Sequence, residues 1–171
     1  RMHDLTPQER ARHLDTIHAS GRHLLALIND ILDLSKVEAG RLEVANDPCS
    51  PLRVAQEVIR VLGQRAREKG LSLRLQADGL LPTSIRSDEA RLRQILTNLV
   101  GNAIKFTDTG EVTVRLRVYR DGSDHWLQID VEDSGIGIPA EKLAGLFQPF
   151  VQADGSITRR FGGTGLGLAL S

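Results

Sequence analysis

The chain has 171 residues, 40% of them hydrophobic and 26% charged, enough for one ordinary core or a small domain with an appendage and too apolar for a disordered chain. Lys plus Arg and Asp plus Glu balance at 22 each, so no global field recruits nucleic acid or an anionic membrane, and any anion site must be built locally. The lone Cys49 excludes an internal disulfide and a cysteine zinc cluster and fits a reducing compartment; no apolar run reaches the ~20 residues that span a bilayer, and the N-terminus lacks a signal peptide's layout. The expectation is a soluble, cytoplasmic chain with no nucleic-acid partner and no direct membrane contact.

Thr6-Pro7-Gln8-Glu9 reads as a helix start, with Thr6 as cap, Pro7 at the first helical position and Glu9 completing a capping box. Leu14, Ile17, Gly21, Leu24, Ile28, Ile31 and Ser35 then recur at alternating three- and four-residue steps, widened by Leu25 and Leu32, until Gly40 supplies a stop. This is a bundle seam on a helix of about 33 residues, roughly 50 Å long. That exceeds what a compact domain of this size needs, so the helix is expected to pack against a second copy of the chain as a homodimer.

A second domain is expected from residue 41. Leu42 and Val44 alternate as a short strand, and Ser50-Pro51 opens a helix to about Lys69, stopped by Gly70. Leu71, Leu73 and Leu75 alternate as a strand, Asp88 caps a helix to about Phe106, and Val112 to Tyr119 and Trp126 to Val131 form a hairpin around Asp121-Gly122. Pro139 starts a short helix. Gln152 to Thr164 is polar and glycine-bearing, as expected of a lid, and Leu166, Leu168 and Leu170 begin a new apolar segment, which reads as a truncation.

Asp133 closes an apolar-alternating strand and precedes Gly135 and Gly137, so its carboxylate lies where the backbone permits close approach of a ligand. A carboxylate accepts hydrogen bonds, which suits the exocyclic amine of adenine and opposes the carbonyl of guanine; an Asx turn explains the same residues. Helical spacing puts Asn98, Asn102 and Lys105 along one stripe, where an amide oxygen can ligate Mg2+ and an ammonium can neutralise phosphate, or where all three form a solvated face. Gly163, Thr164, Gly165, Leu166 and Gly167 form a loop entering a helix, whose free N–H groups favour a polyphosphate. Gly135 to Ala140 matches a dinucleotide fingerprint variant, but the neighbouring strands read as a hairpin and not as a βαβ unit. His3, His13, His18 and His23 share no clean ligand face, and His125 has no nearby acid to orient it.

Taken in order, these segments resemble the core of a sensor histidine kinase of the hybrid type. Asn29 to Gly40 (NDILDLSKVEAG) is similar to the end of that family's dimerisation helix. Asp88 to Thr107 (DEARLRQILTNLVGNAIKFT) resembles its N box, Asp133 to Gly137 its G1 box, Phe147-Gln148-Pro149-Phe150 its F box, and Gly163 to Gly167 its G2 box. The resemblance implies an α+β chain: residues 1–40 as the second helix of the dimerisation and phosphoacceptor domain, and residues 41–171 as a two-layer α/β sandwich of the histidine kinase and gyrase-type ATPase superfamily, truncated after the G2 box. It implies ATP and Mg2+ as cofactors, with Asp133 reading adenine, Asn102 ligating Mg2+, Lys105 touching phosphate and Asn98 shaping the metal site. Gln152 to Thr164 would be the ATP lid, Phe147 and Phe150 its anchors or part of the core, and Arg159 and Arg160 phosphate contacts or a solvated pair. A receiver domain or response regulator is the implied partner, and the parent protein can be an inner-membrane sensor. The family's phosphoacceptor box, a His followed by an acid and then Arg-Thr-Pro, is not intact. His3-Asp4-Leu5-Thr6-Pro7 lacks the arginine and lies too close to Lys36 for two helices, so the accepting histidine is expected outside these residues. Gyrase-type relatives carry a glutamate base one turn before the metal-binding asparagine, and here that position is Asn98, which disfavours a hydrolytic ATPase. A docking module that uses nucleotide only for folding or regulation is the alternative from another class.

Overall fold

The computed structural model describes residues 6–149 and 167–169, with the backbone alone at Ala19 and His23. The Gln152 to Thr164 segment, with Arg159 and Arg160, and the site candidates Phe150, Gly163, Thr164, Gly165 and Leu166 lie outside the described residues. The chain divides into two compact units, one ending at Leu42 and one starting at Glu43.

Among the described residues the first unit is a single helix, α1 (Pro7–Glu38). Its start is fixed by local chemistry: the Thr6 hydroxyl accepts from the Glu9 N–H at 3.3 Å, and the Glu9 carboxylate accepts from the Thr6 N–H at 2.8 Å. Two orphan donors are thereby satisfied, and these hydrogen bonds, the Thr6 backbone first, hold the Glu9 carboxyl below its usual range. The end is a Schellman turn, with Gly40 at φ 63° and the Arg41 N–H returning to the Lys36 carbonyl at 2.8 Å, a conformation that costs glycine nothing.

The second unit contains β1 (Asp47–Cys49), α2 (Pro51–Glu68), β2 (Ser72–Asp78), β3 (Ile85–Ser87), α3 (Glu89–Phe106), β4 (Glu111–Asp121), β5 (Asp124–Asp133) and the single turn α4 (Ala140–Leu143). The expected strand at Leu42 and Val44 does not form: residues 41–46 are irregular, Val44 is exposed, and the pairing falls at β1, antiparallel to β3. The reason is tertiary, since a three-residue strand exists only where a partner supplies its hydrogen bonds, and β3 is too short to show alternation in the sequence.

The main sheet has the order β2-β4-β5. β4 and β5 form the expected hairpin, in register from Val112 opposite Asp133 to Asp121 opposite Asp124. β2 joins β4 in parallel, so the sheet is mixed, and the chain between them carries α3. One face is covered: Val54, Val58 and Leu62 of α2 and Leu96, Val100, Ala103 and Ile104 of α3 pack with Val112, Val114 and Leu116 of β4. All are nearly solvent-free, and Val54, Val100, Val112 and Leu116 are completely so. Each such side chain contributes about 1.5–3 kcal/mol relative to leaving it in water. This is the expected two-layer α/β sandwich.

Candidate functional site

The second helix of the sandwich, α3, positions the first group of candidates. Its N-cap is Asp88, whose carboxylate accepts from the Arg91 N–H at 3.0 Å and from the Ala45 N–H at 3.1 Å. These backbone bonds, Arg91 first, hold the Asp88 carboxyl below its usual range. Because Leu96, Val100, Ala103 and Ile104 face the core, the helical period turns Asn98, Asn102 and Lys105 away from it, and each is half-buried. The Asn98 amide donates to the Gly167 carbonyl at 3.1 Å. A Cβ on Gly167 would lie 3.4 Å from the Asn98 side chain, so α3 and the end of the glycine-rich segment meet closely. Burial lowers the pKa of the Lys105 ammonium, which stands 4.7 Å from the centroid of the Phe106 ring. An ammonium short of water gains from an anionic ligand.

The second group hangs on the end of β5. Asp133 pairs with Val112, and its Oδ1 accepts from the Gly135 N–H at 2.9 Å. The Asx turn read from the sequence is therefore present, and it uses one of the roughly four acceptor positions of a carboxylate. Ser134 locks the turn to β4, donating its N–H to the Glu111 carbonyl at 3.2 Å and accepting from the Glu111 N–H at 3.0 Å. The Ile136 N–H reaches the carbonyl of Phe106, the last residue of α3, at 3.3 Å. The two groups of candidates thus share one seam.

Gly135 shows how tightly that seam is built. A Cβ there would lie 2.5 Å from the Phe106 carbonyl oxygen, 2.7 Å from Asp133 Oδ1 and 2.9 Å from Thr107 Oγ1. Backbone blocks the first of these contacts, so the position requires glycine. Thr107 is completely buried, and its hydroxyl has no hydrogen-bond partner among the described residues. An unpaired buried hydroxyl is costly. The exposed Asp133 carboxylate, held on a turn that packs tightly against the end of α3, fits a polar planar ligand whose edge carries a hydrogen-bond donor. Asn102 supplies one neutral amide oxygen and no competing carboxylate, a donor that suits a hard cation taking most of its ligands from water and phosphate.

Other candidates are not brought here. Cys49 is buried, and burial followed by the charge of Glu89 pushes its thiol up, so it is a core residue and not a nucleophile. His13 and His18 are exposed on α1. Phe147 is 64% exposed, which removes the core reading offered for it above. No group of three or more His, Cys, Asp or Glu side chains able to hold a metal occurs among the described residues, and no helix among them is long and apolar enough to cross a membrane.

Two participants escape a reading of the sequence. Thr107 looks like the residue after a helix end, and only burial exposes its orphaned hydroxyl. Lys69 looks like an ordinary basic C-terminus for α2, yet its Nζ donates to the carbonyls of Ile104 and Lys105, each at 2.9 Å, and of Thr107 at 3.0 Å.

Residues 87–171 match the family of histidine kinase-, DNA gyrase B- and HSP90-like ATPases, and residues 1–40 match the His Kinase A (phospho-acceptor) domain. The signal transduction histidine-protein kinase BarA of Escherichia coli (strain K12) is 46% identical over 170 residues, which is 98% of this chain and 18% of BarA. The circadian input-output histidine kinase CikA of Synechococcus elongatus is 49% identical over 169 residues, 98% of this chain and 22% of CikA. The crystal structure of full-length ShkA in complex with AMPPNP superposes with a TM-score of 0.77 at 35% identity, covering 98% of this chain and 33% of that one. The chain therefore spans about a fifth of the length of these two curated relatives.

Proposed function

The chain belongs to the sensor histidine kinases, as the ATP-binding catalytic core of a two-component kinase, and from that premise we propose how its residues divide the work. Asp133 accepts the exocyclic amine of adenine, and Thr107, buried beneath Gly135, belongs to the floor under the Asp133 turn. Asn102 gives its amide oxygen to Mg2+, which when bound neutralises phosphate charge. Lys105, short of water, sets its ammonium against the same phosphates. Asn98 ties α3 to Gly167, the last residue of the glycine-rich motif whose N–H groups are to receive the polyphosphate.

The reaction is transfer of the γ-phosphoryl group to an imidazole nitrogen. A P–N bond forms, the bond from γ-phosphorus to the bridging oxygen breaks, and ADP leaves. The accepting histidine lies outside these residues, and the phosphoryl group then passes to an aspartate of a receiver domain. Transfer of this kind needs positioning and charge neutralisation more than covalent help from the protein, which suits an inventory of amides, one ammonium and backbone donors. An amide at Asn98 is a poor base, so water is not activated and the phosphoryl group is kept for histidine. The apolar seam of α1 joins two copies of the chain. The kinase core works on the cytoplasmic side, where ATP and the receiver domain are.

The observation that carries this reading is the Asp133 carboxylate held in its Asx turn against the glycine-only seat at Gly135. Titration of the chain with ATP and GTP, with and without Mg2+, tests it. ATP is expected to bind selectively, Asp133→Ala to abolish the selectivity, and Asn102→Ala to abolish enhancement by Mg2+. Equal affinity for ATP and GTP in the unaltered chain would overturn the role of Asp133.

A further inference from the structure

Each of the last four carbonyls of α3 has a hydrogen-bond partner. A helix leaves its final four carbonyls without intrahelical partners. Here the Ala103 carbonyl accepts from the Thr107 N–H at 3.1 Å, the Ile104 and Lys105 carbonyls accept from Lys69 Nζ, and the Phe106 carbonyl accepts from the Ile136 N–H at 3.3 Å. Lys69 also takes the Thr107 carbonyl and stands 4.0 Å from the Asp108 carboxylate. One ammonium, from the residue capping α2, thus satisfies two of the four helix carbonyls and the first carbonyl beyond them, at the negative end of the helix dipole, where a cation is favoured.

The fourth carbonyl leads to the nucleotide seat. Phe106 holds Ile136, and a Cβ on Gly135 would be in hard contact with the Phe106 carbonyl and the Thr107 hydroxyl. The two residues that form the floor beneath the Asp133 turn are therefore flanked by carbonyls fixed by Lys69. Displacement of this floor is transmitted to the turn through the Ile136 N–H bond to Phe106 and the close packing that leaves no room for a side chain at Gly135.

Resting on the assignment of Asp133 to the purine edge, we propose that Lys69 is a positioning residue for nucleotide selection: it clamps the C-terminus of α3 and thereby sets where the Asp133 carboxylate stands. It touches no nucleotide in this scheme and acts through Phe106, Thr107 and the turn from Asp133 to Gly137. Replacement by methionine keeps the apolar stem and removes all three donors, so the part-buried bonds to the Ile104 and Thr107 carbonyls are lost.

The test is a double-mutant cycle in the full chain with Lys69→Met and Asp133→Ala, reading ATP and GTP affinity by titration and exchange of the Ile136 amide by hydrogen–deuterium NMR. Lys69→Met is expected to weaken ATP about tenfold, the size of losing a charge-assisted bond, to narrow the ATP to GTP ratio, and to speed Ile136 exchange. In the Asp133→Ala background it is expected to cost nothing further, as coupled residues behave. A folded Lys69→Met chain with unchanged ATP affinity and selectivity overturns the proposal. So does a loss that falls equally on ATP and GTP and adds fully to that of Asp133→Ala, because Lys69 would then serve stability alone. If Lys69→Met does not fold, Lys69→Gln, which retains a neutral donor, decides by the same readings. If Asp133→Ala alone leaves ATP binding and selectivity intact, the purine-edge assignment has failed, separately from the clamp.

Discussion

Helix α1 and the sandwich use the same kinds of apolar residue in opposite ways. On α1, Leu14 and Ile17 are 66% and 67% exposed, and Leu24, Leu25, Ile28, Ile31 and Leu32 also lie open. In the sandwich the corresponding residue types are sealed, with Leu96 at 1% and Leu116 at 0%. The difference teaches that hydrophobic periodicity identifies a surface that needs covering without saying what covers it. The sandwich covers its own, because a sheet face and two helix stripes converge; on α1 these residues stay open among the described ones, and a second copy of the chain would supply a cover.

The largest expected effect lies in the sandwich core. Leu116→Ala should lower stability by about 2–5 kcal/mol, as deletion of a fully buried leucine does, seen as a lower urea midpoint for the sandwich transition. Leu24→Ala on α1 should leave that midpoint unchanged and weaken self-association, measured by sedimentation at several concentrations. Equal effects on both transitions would break the contrast between the two regions.

Next in size is Asp133→Ala, expected to weaken ATP by roughly tenfold or more, since a hydrogen bond to a charged group is worth about 1.5–3 kcal/mol. The oligomeric state should not change, which sharpens the separation between a nucleotide-binding region and an assembling one. Smaller again is Thr6→Ala, which removes the cap of α1 and should cost about 1 kcal/mol of helix stability, detectable as fraying by circular dichroism while nucleotide affinity stays constant.

The smallest is a pH effect at the other helix start. The Asp88 carboxyl is held below its usual value of 3.8 by the Arg91 and Ala45 N–H groups. A depressed carboxyl stabilises the fold fully above its unfolded value and loses that contribution as pH falls through the lowered folded value. Asp88→Asn keeps a capping oxygen and removes the titration, so its acid unfolding curve below about pH 4 should be shallower than that of the unaltered chain.

Helix starts were legible because Thr6, Ser50 and Asp88 each make their capping bond to a residue three positions on, chemistry that sequence spacing contains in full. The hairpin and the strand at β2 were legible from alternation. The pairing of β1 with β3 and the parallel union of β2 with β4 were not, since the partner of a strand is chosen by long-range geometry and leaves no local mark.

The candidate site divides along the same line. By itself the sequence determined which helix carries Asn98, Asn102 and Lys105, and that Asp133 ends a strand before two glycines, because helical and strand periods are local properties of the backbone. Only the tertiary structure decided that Phe106 holds Ile136, that Thr107 buries its hydroxyl beneath Gly135, that Asn98 meets Gly167 and that Lys69 closes the end of α3. Each of these contacts joins residues about 28 to 69 positions apart, and a hydrogen bond across such a separation exists only after packing has fixed both partners in space.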